Sequence, residues 1–269
     1  MSSPAAAAAP AAHPPGTLAR RQRRAIVAGL TGVALLAWLE LARMTWSMHS
    51  AMQAGAACEL HPWSASDAAL TFSMWTVMMV GMMVPSALPM SLLFASVARK
   101  AAARGGVVAP AFVFTSGYVA AWTIFSALAT ALQWELEKAA LLSPMLASAS
   151  PLFGGALLIL AGAYQLSPLK NACLDHCRAP ARFFAAHWRP GRWGACRMGF
   201  FHGLYCLGCC WLLMGLLFFG GVMNLLWVAG LTAFVLIEKL APYGAHVAKL
   251  SGIGLLVVGG LQLHAALAI

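Results

Sequence analysis

From Ala25 to its C-terminus, this 269-residue chain is a succession of apolar runs separated by short basic clusters. The runs fall at 25–44, 69–97, 109–133, 148–166, 198–219, 223–239 and 250–268. Each is near the roughly 20 residues that an α-helix needs to cross the hydrocarbon core of a bilayer. Inside that core no water satisfies backbone N–H and C=O groups, so only helices and closed barrels span it. A barrel requires short strands of alternating polarity, not long apolar runs. The expected fold is all-α, a polytopic transmembrane helix bundle of about seven spans. Composition agrees: 9% of the residues are charged, against about 25% in soluble domains.

Lys and Arg set the orientation, because cytoplasmic loops retain the positive charge. Residues 1–24 read as a disordered basic cytoplasmic tail, Ala/Pro-rich at first and then carrying Arg20, Arg21, Arg23 and Arg24. Residues 25–269 read as the transmembrane domain. A basic start before an apolar run also fits a signal peptide. This run continues to about Met44 without a clear small-residue cleavage site, so an uncleaved first helix is expected. With the N-terminus inside, Arg99, Lys100 and Arg104, the cluster from Lys170 to Arg197, and Lys239 with Lys249 all fall inside. Only Arg43 and Lys138 fall outside. The expectation is a multi-pass protein of the bacterial inner membrane, N-terminus in and C-terminus out. It depends on a very short turn at Gly220-Gly221-Val222. The net charge of +10 does not point to nucleic acid, because the basic residues sit where topology requires them. Seven Cys, an odd number lying mostly within or just inside the membrane, argue against a secreted disulfide scaffold.

Sulfur is concentrated in two of the spans. Phe200 to Met214 holds His202, Cys206, Cys209, Cys210 and Met214. At about 100° per residue, His202, Cys206 and Cys209 share a narrow helix face, with Cys210 and Met214 to one side. Thiolates, a thioether and an imidazole in an apolar setting suit Cu(I) better than a hard cation. The competing reading is that buried Cys are simply small hydrophobes. The second span contains Met74, Met78, Met79, Met82 and Met83. Met ordinarily fills gaps in a core, but thioethers also bind Cu(I) and hardly bind Zn²⁺ or Ca²⁺. Pro85 frees the carbonyl of Gly81, and a kink is expected there. The two spans run in opposite directions, so direct packing would bring their sulfur atoms face to face. Gly199 and Gly203 form a G-x-x-x-G that permits close helix approach.

The inside loop, about 167–197, holds Cys173, His176 and Cys177. On a helix these three could ligate one ion. A structural zinc site normally needs four ligands, so either a partner completes the set, or the ion is low-coordinate Cu(I), or the thiols are plain reduced cysteines. The outside loop 47–68 carries His49, Met52, Cys58 and His61, which could form an access site but read more simply as solvated loop residues. Asp67 is expected to cap the second span. Glu40, Glu135, Glu137 and Glu238 lie near span ends, where they can snorkel. Gln262 and His264 can bond across helices, and Trp38, Trp46 and Trp63 read as interfacial anchors. No Ser/His/Asp arrangement, phosphate-cradling loop or hydrolytic carboxylate pair is evident, so no enzyme is expected.

These residues carry a resemblance. Met74-Trp75 followed by Met78-Met79, Met82-Met83 and Pro85-Ser86, then Tyr164-Gln165, Pro168-Leu169-Lys170, Cys173 and Cys177, and then Gly203, Cys206, Gly208-Cys209-Cys210-Trp211 and Met214, resemble a bacterial family of predicted metal-binding integral membrane proteins. Some of its members are labelled copper chaperones. The likeness runs from about Ser66 to the C-terminus and implies metal binding without a fixed ligand set. The leading expectation is a Cu(I)-binding protein that hands copper on or translocates it through Cys, Met and His ligands. It would meet a copper-donor or copper-acceptor protein and no nucleic acid. The alternatives are a thiol–disulfide conduit and a structural assembly subunit whose sulfur atoms only pack.

Overall fold

The structure is a computed structural model that describes residues 15–53, 63–107, 109–143 and 146–268. The described residues are all-helical, with one isolated β-bridge between Leu142 and Ser148. In chain order the helices are α1 (Pro15–Gln53), α2 (Ala65–Ala102), α3 (Ala111–Lys138), α4 (Pro151–Gln165), α5 (Pro168–Arg178), α6 (Pro180–His187), α7 (Gly191–Gly215), α8 (Leu217–Gly220), α9 (Leu225–Leu240) and α10 (Gly244–Leu267).

Among the described residues, five helices are long and apolar enough to cross a membrane: α1, α2, α3, α7 continued by α8, and α10. A sixth is obtained by taking α4 and α5 together, although they meet at an angle of 63°. The apolar runs at 148–166 and 223–239 are the two that give short helices. After the first, Ser167 caps a new helix by accepting from the N–H of Lys170, and Pro168 stands in its first turn. Pro has no N–H to extend the previous ladder, so the chain breaks and restarts. The second gives α9, 16 residues long, or about 24 Å. The expected turn is present, with Gly221 at φ +95°.

Local signals explain the other boundaries. Ser64, not Asp67, is the N-cap of α2. Asp67 occupies the third helical position and returns a bond to the Ser64 N–H, completing a capping box. α2 continues as one helix through Pro85 and Pro89. The tract expected as an inside loop is instead α5, α6 and the first turns of α7. Arg20, Arg21, Arg23 and Arg24, expected in a disordered tail, belong to α1, and residues 1–14 lie outside the described residues.

The Gly199/Gly203 motif works as expected, but with a different partner. α7 packs on α3 and α5, whereas α2 packs on α1 and α3. A Cβ at Gly199 would run into the Phe114 carbonyl, and one at Gly203 would come within 2.6 Å of Ala121 Cβ. The backbones of α3 and α7 therefore touch, and the sulfur-rich spans do not pack directly.

The end of α9 is also placed differently from expectation. Glu238 does not snorkel. It is 2% exposed and pairs with the fully buried Lys170 of α5 at 2.7 Å. Gln165 donates to Glu238 at 2.7 Å and to Ser251 at 2.9 Å, and accepts from Lys170. The short α9 turns its charged end into the bundle, so these charges meet partners inside. Replacing Glu238 by Ala leaves Lys170 buried without a counter-charge, and the expected loss of stability is about 3–5 kcal/mol. Denaturant unfolding of the detergent-solubilised protein measures it.

Candidate metal centre

The site begins with helical spacing on α7. Cys206, Cys209 and Cys210 are all buried, and the thiols of Cys209 and Cys210 each donate to the Cys206 carbonyl at 3.0 Å. α5 lies against this face. Its Cys173 and Cys177, one helical turn apart, both point toward α7. Cys177 packs against the core cluster that contains Cys206 and Cys209, and lines one cavity with Cys206. Cys173 Sγ sits over Gly208, where a Cβ would come within 2.8 Å of it. Glycine at 208 leaves room for this thiol without displacing it. The two thiol groups that the sequence presents as separate, one in the membrane and one in a loop, form a single cluster.

His176 does not join them. Its ring stacks on Tyr205 at 4.3 Å and its Nδ1 meets the Ala172 carbonyl at 2.8 Å. The local set of Cys173, His176 and Cys177 is therefore not formed. His202 is buried at 3% exposure between aromatic rings, at 5.5 Å from Tyr118 and 5.7 Å from Phe183. Among the described residues its Nδ1 has no hydrogen-bond partner.

The methionines of α2 all face inward. Met78, Met79, Met82, Met83 and Met214 are fully buried, and Met74 nearly so, in the same core cluster as Cys206, Cys209 and Cys210. Tyr118 of α3 bridges the two sulfur-rich helices. Its hydroxyl donates to the Met83 carbonyl at 3.1 Å and meets Cys206 Sγ at 2.9 Å and Ser86 Oγ at 3.3 Å.

Lys239 is the residue beside the thiols that sequence reasoning missed. Counted there as a loop charge, it is 7% exposed, and its Nζ donates to Cys206 Sγ at 2.7 Å and reaches Cys210 Sγ at 3.8 Å. A signal was available: the apolar run before Glu238-Lys239 is too short to carry both to the headgroups. A cavity of about 250 Å³ gives access to the cluster, and its walls include Met90, Cys177, Arg178, His202, Cys206 and Lys239. Among the described residues no group of three or more His, Cys, Asp or Glu side chains is placed to hold one ion. His49 lies in α1, whereas Cys58 and His61, with the side chain of Met52, lie outside the described residues.

Residues 72–262 match the family model PpoB2, described as copper chaperone. The chain belongs to this copper chaperone family. The matched region contains the thiol cluster, Lys239, His202 and the α2 methionines, and leaves out α1. No curated protein and no solved structure matches the chain. The donor chemistry fits the family description. Thiols, thioethers and an imidazole are what Cu(I) prefers, and the absence of a converging set among the described residues is unlike a four-coordinate zinc site.

The juxtaposition across α5 and α7 is directly checkable. In a variant whose only cysteines are Cys177 and Cys209, a short bifunctional thiol reagent such as dibromobimane is expected to cross-link within the chain. A variant retaining only Cys177 and Cys196 is expected not to, because Cys196 lies about 15 Å along α7 from Cys206.

Proposed function

We propose that this protein is a Cu(I) chaperone of the bacterial inner membrane, with copper as its cargo. The meeting of Cys177 on α5 with Cys206 on α7 at one cavity carries this reading. It joins a thiol on a short amphipathic helix to thiols inside the bundle, at the wall of a cavity. Arg178 and Pro180, at the same cavity, belong to the segment that the Lys/Arg partition assigns to the cytoplasm. Donor and acceptor proteins would therefore meet the cavity from the cytoplasmic side, in a chain oriented N-in and C-out. With the N-terminus inside, a cytoplasmic 167–197 segment requires α4 with α5 to count as a crossing, and a C-terminus outside then requires α9 to count as one too.

Hand-over proceeds by ligand exchange at constant oxidation state. A thiol of the cluster forms a bond to Cu(I) held by a donor thiolate, the donor's sulfur–copper bond breaks, and the proton lost by the receiving thiol passes to the donor. The ion is never bare, which avoids the large cost of burying an uncompensated charge. Cys177 and Cys206 receive the ion at the cavity, Cys209 and Cys210 lie deeper, and Met78, Met79, Met82, Met83 and Met214 supply thioethers around them.

The protein purified under reducing conditions is expected to hold copper, and a Cys206/Cys209/Cys210 triple Ser variant to lose it, as read by elemental analysis. An unchanged copper content in the triple variant would defeat the reading. The four α2 methionines are tested by Leu at 78, 79, 82 and 83. Such swaps usually cost less than about 1.5 kcal/mol of stability, so a folded variant with lowered Cu(I) affinity supports a ligand role, and one with wild-type affinity makes them packing residues.

A second reading has one observation in its favour. The packing of Cys177 against the cluster of α7 thiols supplies the cross-helix partner that a thiol–disulfide conduit needs. Trapping of a mixed disulfide with a redox protein, in a chain that binds no copper, would select it.

A further inference from the structure

We propose that Lys239 is the built-in counter-ion of a two-coordinate Cu(I) held by Cys177 and Cys206, and that it restricts the site to monovalent soft cations. This inference rests on the copper reading above and names the class of ion and the residue that selects it.

Lys239, Cys177 and Cys206 line one cavity, with Lys239 Nζ 2.7 Å from Cys206 Sγ. The other charged groups near the end of α9 are already engaged. Glu238 is paired with Lys170, and the Arg178 guanidinium donates to the carbonyls of Ala241 and Pro242, at 2.8 Å each. The described residues place no carboxylate against Lys239, so the thiols are its anionic partners. A thiolate, not a thiol, ligates metal. Two thiolates, one Cu(I) and one ammonium sum to zero charge. A buried assembly of zero net charge avoids the penalty of an uncompensated ion in a low-dielectric interior. The same pair of thiolates with Zn²⁺ and the ammonium carries a net positive charge. Zn²⁺ also prefers four ligands, and no converging set of three His, Cys, Asp or Glu donors exists among the described residues. Charge and coordination number thus select in the same direction. During hand-over an incoming third thiolate adds a negative charge, and Arg178 is the other Arg or Lys side chain on the cavity wall.

The test compares Cu(I), Ag(I) and Zn²⁺ affinities of the full-length protein in detergent, by competition with chelators, for wild type, Lys239→Arg, Lys239→Met and Lys239→Gln. Loss of the charge is expected to weaken Cu(I) and Ag(I) by about a hundredfold or more, while Zn²⁺ binding holds or improves. Lys239→Arg is expected to keep the monovalent preference. Gln provides a second neutral side chain, able to hydrogen-bond Cys206, if Met is not accommodated. Wild-type Cu(I) affinity in both neutral variants overturns the counter-ion role and leaves the chaperone reading standing. A parallel loss of all three metals in every variant, Arg included, overturns it in favour of a purely structural lysine. A wild-type protein that binds no Cu(I) defeats the chaperone reading, and this inference falls with it.

Discussion

Charge cannot remain unanswered within a membrane-embedded bundle, and the end of α9 carries two adjacent charges of opposite sign. Glu238 pairs with Lys170 of α5, and Lys239 donates to Cys206 of α7. One short helix end thus grips both helices that bear cysteines. The result is the alignment of Cys177 with Cys206 and Cys209. On the α5 side the Lys170–Glu238 pair acts with buried Leu174 and the bonds from Arg178 to the Ala241 and Pro242 carbonyls to fix this helix against α7 and α9.

A second constraint sets the spacing on the opposite side of the site. Gly199 and Gly203 let the backbone of α7 touch that of α3, close enough that a Cβ at Gly199 would collide with a carbonyl. This contact brings the Tyr118 hydroxyl within reach of both Cys206 and the Met83 carbonyl. Helix association in lipid relies on close packing and interhelical hydrogen bonds, because lipid tails are as apolar as the helix surfaces. Both contributions appear here at one level of the bundle. They hold the α7 thiols rigidly on the α3 side, while the cavity leaves room beside Cys177 and Cys206 for an incoming ligand.

Hydropathy located the long helices well wherever a run was long and uninterrupted. It was less informative at 148–166 and 223–239, because length alone does not reveal where a proline restarts a helix or where a span stops short. The N-cap of α2 was misassigned to Asp67 because both Ser64 and Asp67 suit the role, and only backbone geometry distinguishes the cap from the third helical position. The methionines of α2 were conspicuous in the sequence by number, yet a helix so apolar all round has no polar face to betray which side is buried. The structure buries all of Met78, Met79, Met82 and Met83.

The residue pattern alone carried the all-helical class, the helices long and apolar enough to cross a membrane, the soft donor types and the close-packing glycines, because each follows from local spacing and side-chain type. It could not say that Cys173 and Cys177 meet Cys206 and Cys209, that His176 turns away to stack on Tyr205, or that Lys239 faces the thiols. Those pairings join positions about 30 residues or more apart on different helices, and helical periodicity describes only one helix at a time. Which faces meet follows from how the buried charges of α9 and the bare backbone of α7 find partners in three dimensions, and that is a property of the whole bundle.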